Sequence, residues 1–254
     1  MAVIWSRTIE SNHYEVRSAG ASLRLYRNGV NHSQWNPNRP LSGCIWDLIV
    51  LPALFRSAGT IDTALVLGFG AGTVGRQLKV LVQAGRIVGL DLDPIHLSIA
   101  DGFFDCAEGC ELIAADAVEW IESGAMGASF DLIIDDIYSE EDGVPQRCAP
   151  MGLDWFHRLA SALNPKGILI INLVEPERVK HLAPFVNEEL KARFPFAMCL
   201  KMDGYENRIV AFSAEDFDSE ALELHLKRIR QRFPRCSGVR KRYQIESISN
   251  FKGN

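Results

Sequence analysis

The sequence lacks several patterns that by themselves define protein classes. Its 254 residues contain no apolar run near the roughly 20 residues that cross a bilayer, and the N-terminus has no long apolar core typical of a signal peptide. We therefore expect a cytoplasmic protein with no membrane partner. The motifs G-x-S-x-G, G-x-x-x-x-G-K before Ser or Thr, and H-E-x-x-H are also missing. Hydrolase, phosphate-loop and zinc-protease functions thus have little support.

Cysteine and histidine are scattered along the chain. The six cysteines form no C-x-x-C pair, and only Cys106 and Cys110 lie close together in the sequence. The six histidines are equally dispersed, whereas a zinc site needs clustered ligands. We therefore expect reduced, mostly buried thiols and no bound metal.

Positive charge is concentrated near the C-terminus, although the whole chain has a net charge of −5. Residues 227–242 hold eight lysines and arginines and no acid, so the remainder carries −13. This segment fits either a contact for RNA, DNA or an acidic partner, or a solvated helix face followed by a tail. Because Phe233 is its only aromatic residue, base stacking has little support and we favour the solvated face.

The most informative stretch is residues 64–75, where four apolar residues lead into the pattern Gly-x-Gly-x-Gly-x-x-Gly. It predicts a buried strand, a glycine turn and the start of a helix. A second apolar run ends at Asp91, whose carboxylate can accept both hydroxyl protons of a ribose. This arrangement predicts a site for a nucleoside-bearing cofactor. It leaves two classes open, which are nicotinamide or flavin dinucleotides and S-adenosylmethionine.

Strands alternate with helices from residue 64 onward, which predicts an α/β fold with a mostly parallel sheet covered on both faces. The predicted strands are 64–69, 86–90, 111–114, 130–135 and 167–173, and the predicted helices are 43–57, 73–84, 94–103, 116–123, 152–163 and 176–193. Strands at 197–201 and 209–213 form a terminal antiparallel hairpin and complete a Rossmann-like sheet of seven strands. Such a hairpin is typical of a methyltransferase-type sheet rather than a dinucleotide-type sheet.

Three units are expected along the chain. Residues 1–40 form a small antiparallel β unit, in which Asn28-Gly29 gives a hairpin turn. Residues 41–216 form the cofactor-binding domain, and residues 217–254 form a C-terminal helix and a basic tail.

Polar residues follow the predicted parallel strands at the edge where open α/β sheets bind ligands. Besides Asp91, these strand ends carry Asp116, Asp135 and Asp136. Asp116 fits either a hydrogen bond to an adenine amino group or a helix N-cap. Neighbouring strand residues face opposite ways, so only one of the two adjacent carboxylates can face the ligand, and we favour Asp136. Tyr138 fits either a substrate wall or plain loop packing.

Taken together, the motifs resemble those of the class I S-adenosylmethionine-dependent methyltransferase superfamily, in its spermidine synthase-like branch. The matching residues are Leu65–Gly72, Gly89–Pro94, Ala115–Ala117, Phe130–Asp136 and Leu163–Leu169. The resemblance implies a cofactor site made of Gly68, Phe69, Gly70, Ala71, Gly72, Asp91, Leu92, Asp116, Ala117 and His32. Within it, Asp91 would hold the ribose and Asp116 the adenine. Asp136 matches an aspartate that engages an attacking amine.

Three departures from the spermidine synthase pattern bear on the reaction. Ala71 replaces an acidic residue of the glycine loop, Ser139 replaces a second aspartate, and Ile45–Asp47 stand where the family has a tyrosine and a glutamate. A diamine acceptor needs a carboxylate at each end, and this chain offers fewer. The resemblance therefore implies S-adenosylmethionine or its decarboxylated form as cofactor, and the departures favour methyl over aminopropyl transfer.

We predict a methyltransferase that acts on a small nucleophilic acceptor, an amine in the first instance. Asp136, with Tyr138 nearby, would hold and deprotonate this acceptor. Two alternatives stay open, an aminopropyltransferase and a non-catalytic nucleoside- or RNA-binding protein that uses residues 227–242. The expected partner is the small-molecule acceptor, with a homodimer as a further option.

Overall fold

The strands of this chain form three separate sheets. The computed structural model describes residues 1–124, 129–141, 144–236 and 243–248. Within these ranges the three sheets have four, two and eight strands. No helix in the same ranges is long and apolar enough to cross a membrane.

The four-stranded sheet is antiparallel and is built by the N-terminal part of the chain. Its strands, in spatial order, are β1 (Ala2–Ile9), β2 (Asn12–Ala19), β3 (Ser22–Arg27) and β4 (Val30–Trp35). Asn28 and Gly29 have positive φ angles of 50° and 86°, so the predicted turn does connect β3 to β4. We call these four strands the N-terminal sheet. The division of the chain at residues 40 and 216 stays a prediction.

The remaining strands are β5 (Thr63–Leu67), β6 (Arg86–Asp91), β7 (Cys110–Ala114), β8 (Phe130–Asp135), β9 (Tyr138–Glu141), β10 (Val144–Arg147), β11 (Leu163–Leu173), β12 (Phe196–Met202), β13 (Arg208–Ser213) and β14 (Tyr243–Ile248). β9 and β10 pair with each other, and the large sheet has the order β14-β12-β13-β11-β8-β5-β6-β7. The five strands from β11 to β7 are parallel. The other three run antiparallel to their neighbours.

This topology confirms the predicted Rossmann-like sheet with its terminal hairpin, and it adds β14 as an eighth strand. The first four residues of β14, Tyr-Gln-Ile-Glu, alternate between apolar and polar side chains, as is typical of a strand. The prediction treated this region as a tail because the basic run precedes it.

The helices are α1 (Ile45–Val50), α2 (Thr73–Gln77), α3 (Pro94–Phe104), α4 (Ala117–Glu122), α5 (Leu153–Ala162), α6 (Ala183–Val186), α7 (Glu188–Arg193) and α8 (Ser219–Arg232). The single helix predicted over residues 176–193 is wrong, because a 3-10 turn precedes two short helices there. Pro184 has no N–H to donate, and Asn187 is extended and caps α7 by accepting the Leu190 amide. The helix predicted over 43–57 is present as α1 and ends early, as Pro52 leads one to expect, in a 3-10 turn over Leu51–Phe55.

Apolar layers cover both faces of the large sheet. On one face, Val66 and Ile134 pack with α1, α3, α8 and the N-terminal sheet. On the other face, Leu65 and Ile133 pack with α4, α5 and α7. Since both faces are filled, the carboxyl ends of the parallel strands are the edge of the sheet where a ligand can bind.

The chain turns at Gly68 immediately after β5 and passes very close to the end of β8. The Asp136 amide donates to the Leu67 carbonyl at 2.9 Å, and the Gly68 amide donates to the Leu90 carbonyl at 3.0 Å. Gly68 has a φ of 85°, and a Cβ at this position would overlap the backbone carbonyl of Asp136. Glycine is therefore required here both by conformation and by space.

We expect Gly68→Ala to be more destabilising than a matched glycine substitution. Gly59 has nearly the same φ, 81°, but a Cβ there would meet nothing within 4 Å. Gly59→Ala therefore reports the conformational cost alone, about 1–2 kcal/mol. Gly68→Ala should lower the free energy of unfolding by about 1–3 kcal/mol beyond that control, because backbone atoms must move. Urea unfolding of both variants measures the difference, and equal effects would contradict the close approach.

Candidate functional site

A cavity of about 600 Å³ lies at the carboxyl ends of β5, β6 and β8. The N-terminal sheet forms one wall, and the turn between β12 and β13 contributes Tyr205 and Asn207. Both the volume and the position are those of a small-molecule site in an open α/β sheet.

The glycine loop after β5 is fastened to the N-terminal sheet by two hydrogen bonds. The Ala71 amide donates to Ser33 Oγ at 2.8 Å, and the Gln34 amide donates to Thr73 Oγ1 at 2.8 Å. All four groups lie in the buried interface between the loop and β4. The N-terminal sheet thus helps to fix the floor of the cavity as well as its wall.

Six of the ten predicted cofactor residues line the cavity, namely Gly68, Phe69, Gly70, Asp91, Leu92 and His32. The other four, Ala71, Gly72, Asp116 and Ala117, lie outside its lining. Asp116 is the N-cap of α4, and its Oδ1 accepts the amides of Val118 and Glu119 at 2.7 and 3.1 Å. The cap is therefore present, and a further contact of Asp116 with adenine stays a prediction.

Asp91 ends β6 and is held in place before any ligand binds. Its Oδ2 accepts the Gly70 amide at 2.7 Å, and its Oδ1 accepts the Asp93 amide at 2.9 Å. Burial alone would raise the pKa of Asp91, but His96 and these two amides bring it below its ordinary value. An ionised, oriented carboxylate at the edge of the cavity suits the hydroxyls of a ribose.

Asp135 is the last residue of β8, and Asp136 follows it directly. Asp135 is completely buried, and its Oδ2 accepts Arg147 Nη2 at 2.6 Å and Trp155 Nε1 at 2.9 Å. Asp136 lines the cavity. The structure therefore gives Asp135 a buried ion pair and brings Asp136 to the cavity, where its role as the functional carboxylate stays a prediction.

Two asparagine amides extend from Asp136 to the turn between β12 and β13. Asn172 Nδ2 donates to Asp136 Oδ1 at 2.7 Å, and Asn207 Nδ2 donates to Asn172 Oδ1 at 3.0 Å. Burial raises the pKa of Asp136 to about 7. The hydrogen bond from Asn172 lowers this pKa, and the negative charge of Asp135 raises it further. A carboxyl group with this pKa can accept a proton near neutral pH.

Tyr138 also lines the cavity, beside Asp136. Its hydroxyl donates to the Asn172 carbonyl at 2.8 Å, and burial raises its pKa above the ordinary value. Because this bond uses the only hydroxyl proton, Tyr138 fits a wall better than a proton donor.

The polar lining residues that the prediction did not assign to the site include Tyr14, Arg27, Asp93 and His96. Asp93 is the expected N-cap of α3, since its Oδ1 accepts the Ile95 amide at 2.9 Å. The spacing of Asp93 and His96, three residues apart at the start of a helix, places both on one face and was the available signal. Tyr14 and Arg27 could not be assigned, because they reach the site through the docking of the N-terminal sheet.

The basic segment is described only in part. Lys227, Arg228, Arg232 and Arg235 are exposed, and residues 237–242 lie outside the described ranges. Contact with nucleic acid and formation of a homodimer both stay predictions.

Within the described ranges, no group of three or more His, Cys, Asp or Glu side chains could hold a metal.

Solved structures share this architecture over most of its length. A "probable spermidine synthase" from Corynebacterium glutamicum superimposes with a TM-score of 0.67 and 16% identity, over 97% of this chain and 91% of that one. Human Methyltransferase-like protein 13, in complex with SAH, gives a TM-score of 0.57 and 22% identity, over 82% and 96% of the two chains. The chain thus has the Rossmann-like fold of these spermidine synthase and methyltransferase structures, which confirms the fold that the resemblance implied.

Curated relatives of this spermidine synthase-like chain fall into two groups. A Bifidobacterium longum protein named "Probable polyamine aminopropyl transferase" is 28% identical over 137 residues, which cover 54% of this chain and 29% of the relative. The mouse "eEF1A lysine and N-terminal methyltransferase" is 27% identical over 155 residues, which cover 58% and 22%. The matches thus span less than a third of the length of these relatives. No family model matches the sequence.

The two adjacent carboxylates should respond oppositely to substitution by asparagine. Asp135→Asn leaves the buried Arg147 guanidinium without its counter-charge, so we expect a loss of about 3–5 kcal/mol in the free energy of unfolding. Urea unfolding at pH 7 measures this loss. A neutral effect would show that Asp135 does not carry the ion pair described above.

Asp136→Asn should instead stabilise the protein at alkaline pH. The Asp136 pKa is about 7 in the folded chain, whereas an unfolded aspartate titrates at about 4. Ionisation of Asp136 therefore opposes folding, and stability from this group falls as the pH rises from about 4 to about 7. The variant should melt above wild type at pH 8 and equally at pH 4. A lower melting temperature at both values would contradict the assignment.

Proposed function

We propose that this chain is an S-adenosylmethionine-dependent methyltransferase whose acceptor is a single amine. The proposal is carried by the presence of Asp91 and Asp136 in one cavity beside the glycine loop. Asp91 suits a ribose, and Asp136, with its raised pKa, suits a proton acceptor. The names of the relatives, which refer to methyl or aminopropyl transfer, support the transferase class.

The cofactor end of the cavity is made by Asp91, Leu92 and the glycine loop. Leu92 is 71% exposed and lies in the lining, so it offers an apolar surface on which an adenine can pack. The loop contributes Gly68 and Gly70 to the lining of the cavity. S-adenosylmethionine, when bound, supplies an electrophilic methyl group on a sulfonium. The residues present fit this molecule.

The acceptor end surrounds Asp136. Its other lining residues are Trp46, Tyr138, Asn172, Tyr205 and Asn207. Aromatic rings and amide oxygens are favourable surroundings for an ammonium group, and a single carboxylate balances a single positive charge. Ser139 lines the cavity where a second carboxylate would be needed for a diamine. These residues favour an acceptor with one amine, either a small molecule or a protein side chain or N-terminus.

The residues of the chain contribute positioning and proton removal. Asp136 accepts the proton that the amine nitrogen releases as its new bond to carbon forms. Asn172 fixes the carboxyl group through Oδ1, and Asn207 fixes Asn172 in turn. Most of the acceleration comes from holding the nucleophile in line with the carbon–sulfur bond that breaks.

Aminopropyl transfer is the second candidate. It is favoured by the structural likeness to the Corynebacterium glutamicum protein, which covers 97% of this chain and includes the N-terminal sheet. It requires decarboxylated S-adenosylmethionine and an amine acceptor.

Labelled cofactors separate the two reactions. The protein is incubated with methyl-labelled S-adenosylmethionine or with aminopropyl-labelled decarboxylated S-adenosylmethionine, each with putrescine, a panel of monoamines, or a cell lysate. We expect label transfer from the first cofactor to a monoamine or a lysate protein. Transfer from the second cofactor to putrescine would replace our proposal with the aminopropyl reaction.

Asp136→Asn should reduce the rate of label transfer by about 10²–10⁴-fold. Because Asp136 must be ionised to accept a proton, wild-type kcat/KM should rise with pH through about 7, the pKa of this residue. Asp154→Asn, at an exposed residue of α5 outside the cavity lining, is the matched control and should leave the rate unchanged. A wild-type rate in Asp136→Asn would remove Asp136 from the mechanism.

A further inference from the structure

His96 lies between two carboxylates of the cavity. It is buried, with 5% of its surface exposed, and it belongs to the first turn of α3. Its Nδ1 lies 3.3 Å from Asp91 Oδ1, and its Nε2 lies 3.6 Å from Asp93 Oδ2. Nε2 is buried without a hydrogen-bond partner, although the residue lines the cavity. A buried nitrogen of this kind requires a physical explanation.

The two flanking acids favour a charged imidazole ring. A neutral ring carries one N–H, so its other nitrogen would present a lone pair to a carboxylate. An imidazolium presents an N–H to each acid. It also offsets the repulsion between two negative charges in a partly buried site. The protonated ring is therefore the form that suits both neighbours.

The groups that face this ring come from several elements. Tyr14 on β2 donates its hydroxyl to Asp93 Oδ2 at 2.7 Å, and Arg27 on β3 lies 3.8 Å from the same oxygen. His32 on β4 packs against the imidazole with ring centroids 5.1 Å apart. Asp136, at the end of β8, is the remaining acid of the lining. Tyr14 and Arg27 of the N-terminal sheet therefore hold Asp93. The imidazole ring connects Asp93 to Asp91 at the end of β6.

We propose that His96 is a positioning residue that bridges Asp91 and Asp93 as an imidazolium, and so fixes the carboxylate that binds the cofactor ribose. The inference rests on the proposed function, which assigns Asp91 to the ribose. Without the bridge, Asp91 keeps its two backbone amides but loses the cation that offsets Asp93. Cofactor affinity is therefore expected to fall when the ring is removed.

Calorimetric titration with S-adenosylhomocysteine tests the bridge, because binding needs no turnover. His96→Asn keeps a donor near the position of Nδ1 but cannot carry the charge, and we expect about tenfold weaker binding. His225→Asn is the matched control. His225 is also 5% exposed, and its Nε2 contacts the Arg56 carbonyl at 3.0 Å, outside the cavity lining. This control should bind as tightly as wild type, and thermal melts of both variants confirm that they fold.

A second background separates a bridge from a merely structural histidine. Asp93→Asn removes the charge that the ring offsets, so His96→Asn should weaken binding of S-adenosylhomocysteine less in this background than in wild type. An equal loss in both backgrounds would contradict the bridge.

The outcomes distinguish the bridge from the proposed function. If wild type binds S-adenosylhomocysteine and His96→Asn binds equally well, the bridge is wrong and the cofactor assignment stands. If folded wild type does not bind S-adenosylhomocysteine at all, the proposed function fails and the bridge fails with it.

Discussion

The candidate site depends on the hydrogen bond from the Gly70 amide to the Asp91 carboxylate, which holds the glycine loop against the end of the neighbouring strand. It is 2.7 Å long and connects the loop after β5 to the end of β6. Because its acceptor is charged and mostly buried, it is stronger than an ordinary amide bond. The same carboxylate therefore sets the shape of the loop and remains available to a ligand. The floor of the cavity thus has its shape before a cofactor arrives, and binding does not have to supply the cost of ordering it.

The N-terminal sheet takes part in the site through side chains as well as by covering it. Ser33 holds the glycine loop, while Tyr14 and Arg27 reach Asp93 beside the predicted ribose site. A sheet that packs on a Rossmann-like domain through such contacts cannot move without disturbing the cofactor end. The acceptor end depends instead on Asn207, on the turn between β12 and β13. The cofactor end of the cavity thus depends on the N-terminal sheet, and the acceptor end depends on the turn between β12 and β13.

The order of strands and the carboxylates Asp91 and Asp136 could be predicted because each rests on a local pattern. An apolar run followed by an acid indicates both a strand and its ligand-facing end. The helix over 176–193 failed because Pro184 and Asn187 interrupt a pattern that is otherwise apolar at helical spacing. The role of Tyr14 was beyond local patterns, since it depends on how the N-terminal sheet docks, whereas the spacing of Asp93 and His96 was a local signal that the prediction did not use. Asp116 had two local interpretations, and sequence spacing could not choose between them.

The ring of Phe69 gives a second physical reason for the glycines around it. Its ring is buried, and a Cβ on Gly72, Gly75 or Gly89 would meet that ring in each case. Only two of these glycines belong to the loop motif, and the third lies on the neighbouring strand β6. Part of the glycine pattern that resembles a nucleotide-binding motif is therefore explained by the space that the Phe69 ring occupies. In the evolution of this chain, Gly75 and Gly89 are therefore free to change only together with Phe69, whereas Gly72 is also constrained by Cys106 and by its φ of 85°.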